Sequence, residues 1–114
     1  NNGIPSLLLI FIMFDGKVLH RIFQGLTLYL YILRSKINGK YYIGSTRDLA
    51  KRTGEHNAGK IKSTRAFIPY ELIYKEMFLS YTEARKRELY IKKKKSRRFI
   101  DDLINRSRDQ VSSQ

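Results

Sequence analysis

Cysteine is absent from the 114 residues, which removes disulfide frameworks, thiolate metal sites and cysteine nucleophiles. The fold must therefore be held by its core, and the absence fits a reducing, cytoplasmic compartment. Acidic residues are scarce: 10 Asp and Glu stand against 23 Lys and Arg, a formal charge of +13 and a pI near 10.2. Such an imbalance excludes a polycationic partner and points to a polyanion, of which nucleic acid is the commonest. A solvated basic surface and an anionic membrane surface are the alternatives. Long apolar runs are also missing. The longest candidate, Ile4 to Phe14, is broken by Pro5 and Ser6 and is shorter than the ~20 residues a membrane helix needs. It also lacks the basic lead and small-residue exit of a signal peptide, since Asn precedes it and Asp15, Gly16 and Lys17 follow. No membrane partner is expected.

What is present suits one domain with a modest core. Residues 1–26 read as an apolar extension without settled structure, with an added strand or helix as the alternative. Residues 27–105 read as the domain and 106–114 as a polar, fraying tail. From Leu28 to Leu33 the β-forming residues alternate, which predicts a strand. Asn38-Gly39 then marks a turn, and Tyr41-Tyr42-Ile43 resumes β character. Thr46 is expected to cap a helix starting at Arg47 and ending between Asn57 and Gly59. After a loop over 60–67, Tyr70 to Phe78 predicts a third strand. Ser80 and Glu83 form a capping-box pattern opening a helix that runs into Lys92–Lys95. Phe99, Ile100, Leu103 and Ile104 predict a further helix over 96–105. This order gives an α+β domain: a small, three-stranded, mostly antiparallel sheet flanked by helices.

Antiparallel pairing puts Tyr31 and Tyr42 on one face of the sheet. A two-residue turn at Asn38-Gly39 would set Tyr42 opposite Ser35, about 13 Å along the strand from Tyr31. A looser loop over Arg34–Gly39 would pair Tyr31 directly with Tyr42, and a compact site favours that register. Arg52 and His56, four apart, share one side of their helix. Tyr81, Ala84, Glu88 and Ile91 follow helical spacing, so Glu88 falls on the stripe facing the sheet. A buried carboxylate costs several kcal/mol unless paired, so a basic side chain or a hard cation is expected beside it. A structural ion pair from Arg52 to Glu88 is the plain alternative to a catalytic role.

These residues, in order, carry a resemblance. Tyr29-Leu30-Tyr31, Tyr42-Ile43-Gly44, Leu49-Ala50-Lys51-Arg52 with Glu55-His56-Asn57, and Glu83-Ala84 with Arg87-Glu88 resemble the motifs of the GIY-YIG nuclease superfamily. The likeness covers roughly Leu28 to Lys95 and is greatest to small stand-alone bacterial members related to the excinuclease nuclease domain. It implies a metal-dependent endonuclease hydrolysing DNA phosphodiester bonds, in duplex or branched DNA. Tyr31, Tyr42, Arg52, His56 and Glu88 would be its catalytic residues. Glu88 would hold Mg²⁺ or Mn²⁺, and Arg52 would lie beside the scissile phosphate. Tyr42 would take the place of the phenol that contacts the attacking or metal-bound water, supported by Tyr31, with His56 assisting proton transfer or holding the phosphate. A free phenol, with a pKa of ~10, is a poor base near neutrality unless positive charge favours its phenolate. Gly44 reads as a residue allowing close backbone approach.

Two positions depart from the family pattern. Tyr29 stands where the first motif has glycine, and no Asn follows Glu88 at the family's helical position, Asn105 being too distant. Between Arg85 and Arg98 nine residues are Lys or Arg and only Glu88 is acidic. Arg85, Lys86, Lys92, Lys93, Lys94, Lys95, Arg97 and Arg98 are therefore candidate phosphate contacts, which position a nucleic acid without reading its sequence. Lys60 to Arg65 is a second basic loop, in contact with a backbone or simply solvated. A non-catalytic nucleic-acid-binding module on the same fold is the rival reading.

Overall fold

Alternating β-branched, leucine and tyrosine side chains build a three-stranded antiparallel sheet at the centre of the chain. The computed structural model describes residues 15–112. In chain order its elements are helix α1 (Gly16–Leu26), strands β1 (Leu28–Ser35) and β2 (Tyr41–Thr46), and helix α2 (Leu49–Asn57). A 3-10 turn (Arg65–Phe67), strand β3 (Tyr70–Phe78) and helices α3 (Tyr81–Lys94) and α4 (Arg97–Ser112) follow. The sheet order is β2-β1-β3, both pairings antiparallel, so the α+β expectation holds. The apolar run Ile4–Phe14 lies outside the described residues. Among them, no helix is long and apolar enough to cross a membrane.

β1 is the central strand and is covered on both faces, which its near-continuous apolar sequence requires. Leu30 and Ile32 point to one face, where Ile91 of α3 and Ile100, Leu103 and Ile104 of α4 close over them. Tyr31 and Leu33 point to the other, packing with Tyr70, Tyr42, Leu49 and Ile68. Leu30, Ile32 and Leu33 are fully buried, each contributing about 1.5–3 kcal/mol of transfer free energy.

Three local expectations change. The hairpin loop takes neither register foreseen: Tyr31 faces Gly44, and Tyr42 faces Leu33. Five residues, Lys36 to Lys40, make the turn, closed by Gly39 N–H to Ser35 C=O with Gly39 at φ +73°. The buried Ser35 hydroxyl, which accepts from the Ile37 and Asn38 amides, holds it in shape. Asp48, not Thr46, caps α2, accepting from Lys51 N–H at 3.1 Å. Thr46 instead braces Asp48 by accepting its N–H at 3.2 Å. Finally, residues 16–26 take the helical alternative under an Asp15 cap, and α4 continues past Asn105 to Ser112. The other capping expectation is met: Ser80 precedes α3 and accepts from Glu83 N–H. α3 stops where Lys95 turns left-handed (φ 47°).

An irregularity in the β1–β3 ladder has consequences for the site. Ile32 pairs with Tyr74 but Leu33 with Leu72, so Ile73 is an extra residue on β3. Ile73 and Tyr74 both pack on the α3/α4 face. Beyond the bulge the alternation is reversed, and Tyr70 is delivered to the opposite face beside Tyr31 and Leu33.

Candidate active site at the edge of the sheet

β2 is an edge strand, and there the two faces of the sheet meet. Tyr31, Tyr42, Gly44, Ser45, Arg52, Tyr81, Arg85 and Glu88 line a cavity of about 220 Å³. Tyr31 and Tyr42 reach it from the α2 face, while α3 brings Glu88 from the other side. Gly44 makes the arrangement possible. A Cβ built there would lie 2.6 Å from the Tyr31 hydroxyl oxygen and 2.7 Å from its Cζ, closer than such contacts ever come. The close approach expected of this glycine is thus made by the Tyr31 ring and not by backbone. Lying over Gly44, that ring comes within 6.2 Å of the Tyr42 ring, centroid to centroid. Shared facing is confirmed, although direct pairing is not.

Tyr31 is 2% exposed, and its hydroxyl is 3.0 Å from Nε2 of His56. Burial, helped by Tyr42 and Glu88 and opposed by Arg52, pushes its pKa far above that of a free phenol. At rest Tyr31 is a neutral hydroxyl. His56 is fully buried on the inner side of α2, packed edge-on against Tyr42 (4.8 Å) and near Tyr70 (6.3 Å). Its Nδ1 lies 2.8 Å from Oγ1 of Thr64. Burial and then the Arg52 charge lower its pKa, against a weaker raising effect of Glu55. His56 is not among the residues lining the cavity, and its contacts with the site pass through Tyr31 and Tyr42.

Glu88 is 5% exposed, as its position on the inward stripe of α3 requires. Its Oε1 accepts from Ser45 Oγ at 2.5 Å, and its Oε2 faces Lys92 Nζ at 2.6 Å and Arg85 at 3.2 Å. Burial alone would raise its pKa, but Lys92, Ser45 and Arg85 together outweigh it and hold the carboxyl below the usual range. The demanded partner is therefore a pair of basic side chains from its own helix. Arg52 does not make the ion pair to Glu88 and is 3.6 Å from Glu55 instead. Half-exposed, Arg52 also lines a second cavity of about 340 Å³ with Thr46, Arg47, Asp48, Lys51 and Glu55.

The run of candidate phosphate contacts is divided by helix geometry. Arg85 and Lys92 share the face of Glu88. Lys86 is largely exposed and 3.8 Å from Glu83. Lys94 sits over the Tyr90 and Phe99 rings, and Arg97 donates to the Gly39 carbonyl and stacks on Tyr41. Lys93, Lys95 and Arg98 are exposed. Sequence reasoning passed over Arg47 and Lys51, cations of the second cavity, and three uncharged residues that hold the site. Ser45 bonds Glu88. Thr64 bonds His56. Asn57 clamps the Tyr70 backbone, accepting its N–H at 2.7 Å and donating to its C=O at 3.0 Å. Only Asn57, standing beside His56 in the helix motif, offered a signal.

Residues 27–100 match the family described as the GIY-YIG catalytic domain, and the chain belongs to this family. Within it, its relatives are small bacterial proteins. A UPF0213 protein of Streptococcus pneumoniae (serotype 4) is 46% identical over 68 residues, 59% of this chain and 68% of the relative. UPF0213 protein YazA of Bacillus subtilis is 40% identical over 81 residues, 68% of this chain and 81% of the relative. The solution structure of a UPF0213 protein from Bacillus halodurans is similar at 38% identity and a TM-score of 0.45, over 69% of this chain and 83% of that one.

Proposed function

We propose that the chain is a metal-dependent endonuclease that hydrolyses phosphodiester bonds in DNA. The observation that carries this is the convergence of Tyr31, Tyr42, Arg52 and Glu88, from both sides of the sheet, on one cavity beside Gly44. Neither core packing nor surface solvation calls for two phenols, a guanidinium and a buried carboxylate at one place.

Among the described residues no three His, Cys, Asp or Glu side chains cluster as a metal cage. The donors at hand are oxygens: the Glu88 carboxylate, with the Ser45 and Tyr42 hydroxyls lining the same cavity. That set fits a hard cation such as Mg²⁺ or Mn²⁺, which takes few protein ligands and retains waters, with Glu88 as its carboxylate. When bound, such a cation supplies Lewis-acid charge to a phosphoryl oxygen. The chain's own residues supply the rest. Hydrolysis adds negative charge to the non-bridging oxygens, and the Arg52 and Arg85 guanidiniums line the space where it would develop. Tyr42 presents its hydroxyl to the attacking water, and Tyr31, tied to His56, fixes the neighbouring wall.

One observation favours a non-catalytic binding module: Ser45, Lys92 and Arg85 already satisfy both Glu88 oxygens. Cleavage of supercoiled, linear and branched DNA with Mg²⁺ or Mn²⁺ at low salt separates the readings. Cutting by the intact chain should vanish in Glu88→Ala and fall by at least ~100-fold in Tyr42→Phe, as for loss of a general acid–base group. No cutting of any substrate, with equal DNA binding by all three proteins, would leave the binding module as the function.

A further inference from the structure

Four groups form a buried chain: the Tyr31 hydroxyl, the two ring nitrogens of His56, the Thr64 hydroxyl and the Ile61 carbonyl. Tyr31 oxygen to Nε2 is 3.0 Å, Nδ1 to Thr64 Oγ1 is 2.8 Å, and Thr64 Oγ1 donates to Ile61 C=O at 3.4 Å. Tyr31, His56 and Thr64 are 2%, 0% and 1% exposed. A neutral imidazole has one N–H and one bare nitrogen, and its partners decide which is which.

Two proton arrangements are possible. In one, Thr64 donates to Ile61, accepts from Nδ1–H, and leaves Nε2 bare to accept from Tyr31. In the other, Thr64 donates to Nδ1 and so gives up Ile61, Nε2–H donates to the Tyr31 oxygen, and the Tyr31 proton goes to the Tyr42 hydroxyl, its other hydrogen-bond partner. Only the first makes all three contacts of the chain, Tyr31 to His56, His56 to Thr64 and Thr64 to Ile61, hydrogen bonds at once, and it leaves the Tyr31 oxygen able to accept from Tyr42. The loop that carries Thr64 is itself fastened by backbone bonds: Gly59 N–H and Lys60 N–H bond to the His56 and Glu55 carbonyls, and Thr64 N–H and Arg65 N–H both bond Ile61 C=O.

We infer that Thr64 is a positioning residue that fixes His56 as its Nδ1–H tautomer, so that Nε2 holds the Tyr31 hydroxyl as donor and leaves the Tyr31 oxygen an acceptor at the cavity wall. The effect on turnover rests on the nuclease reading, whereas the tautomer does not. Thr64 thus acts two residues away from the reaction, through His56 and then Tyr31.

The test is ¹⁵N NMR of the imidazole nitrogens in the full chain at neutral pH, with His20→Gln to assign the two histidines. The intact chain should show a protonated Nδ1 and a bare Nε2 on His56. Thr64→Ser should keep that pattern, and Thr64→Val, which retains shape but cannot accept, should reverse it. In the cleavage assay Thr64→Val should lower kcat by about ten- to a hundredfold, as for other lost partners that orient a histidine, with KM for DNA unchanged and Thr64→Ser near the intact value. A bare Nδ1 in the intact chain overturns the inference without any variant, and so does a Thr64→Val protein whose Nδ1 stays protonated. A chain that cuts nothing while its ring signals still follow Thr64 supports the positioning role and sinks the nuclease reading alone.

Discussion

Gly44 shows how a single missing side chain sets the site. Its register partner Tyr31 lies over it, in the volume a Cβ would need. Gly44→Ala should displace the Tyr31 ring and lower stability by about 1–3 kcal/mol, the usual cost of overpacking. Chemical denaturation would measure it, and a variant as stable as the parent would mean that the ring has room to move. The displaced ring would also lose its bond to His56, so cleavage should fall further than stability alone explains. His56 adds a pH dependence. Its folded pKa lies below its unfolded value of ~6.5, so the unfolded chain binds the extra proton first as pH falls. The stabilisation is present above ~6.5 and is lost as pH drops towards the folded pKa. Glu71 and Glu88, both lowered, lose their stabilisation only as pH falls from the ordinary carboxylate pKa of ~4.3 downward. Melting temperature should therefore decline between about pH 7 and 5.5, and the decline should shrink in His56→Gln. An equal decline in both proteins would place its origin elsewhere.

At the scale of elements, the α2–β3 junction holds the site's second layer. Asn57 is the last residue of α2, and its amide makes two bonds to the Tyr70 backbone where β3 begins. Asn57→Ala would leave a buried strand end unpaired on both its N–H and C=O, at about 1–3 kcal/mol for each group. A melting shift of several degrees is expected. No shift would show that water replaces the amide. This junction also marks where sequence reading stops. The strands and helices were legible because apolar period and capping residues are local signals: Tyr70–Phe78 and the Ser80-capped α3 appear where the pattern put them. Glu88 was legible too, since its spacing from Ala84 and Ile91 fixed it on the inward stripe. Register was not, because the Asn38-Gly39 signal locates a turn without counting its residues. Thr46 and Asp48 are both good caps, and only the chain's path chooses between them. The bulge at Ile73 follows from packing on two faces at once, and nothing in the residues around it marks the position. Thr64, a hydroxyl in a polar loop, becomes a buried acceptor only once α2 and that loop are folded together.

Across the whole molecule, the formal charge of +13 favours a polyanion, and for the DNA proposed above geometry decides how many cations could touch it. The sequence offered eight candidates between Arg85 and Arg98. α3 is a cylinder, and with α4 it spreads them around several faces. Lys94 and Arg97 are occupied by aromatic rings and by the Gly39 carbonyl. The cations that line the two adjoining cavities are Arg47, Lys51, Arg52 and Arg85, and Arg47 keeps its place among them while one of its guanidinium nitrogens donates to the Gly25 carbonyl. Each phosphate neutralised on duplex DNA contributes about −0.9 to the slope of log affinity against log salt. Four contacts predict a slope of roughly −3.6, and all eight α3/α4 candidates would give roughly −7. Binding titrations across a range of salt, without divalent metal so that the DNA stays intact, distinguish the two. Lys51→Gln should weaken binding and flatten the slope by about 0.9, while Lys94→Gln should leave it unchanged. A steep slope that Lys94→Gln flattens would instead route the DNA over the outer face of α3. The cavity at Gly44 would then face away from its substrate, and the proposed active site would have to be abandoned with it.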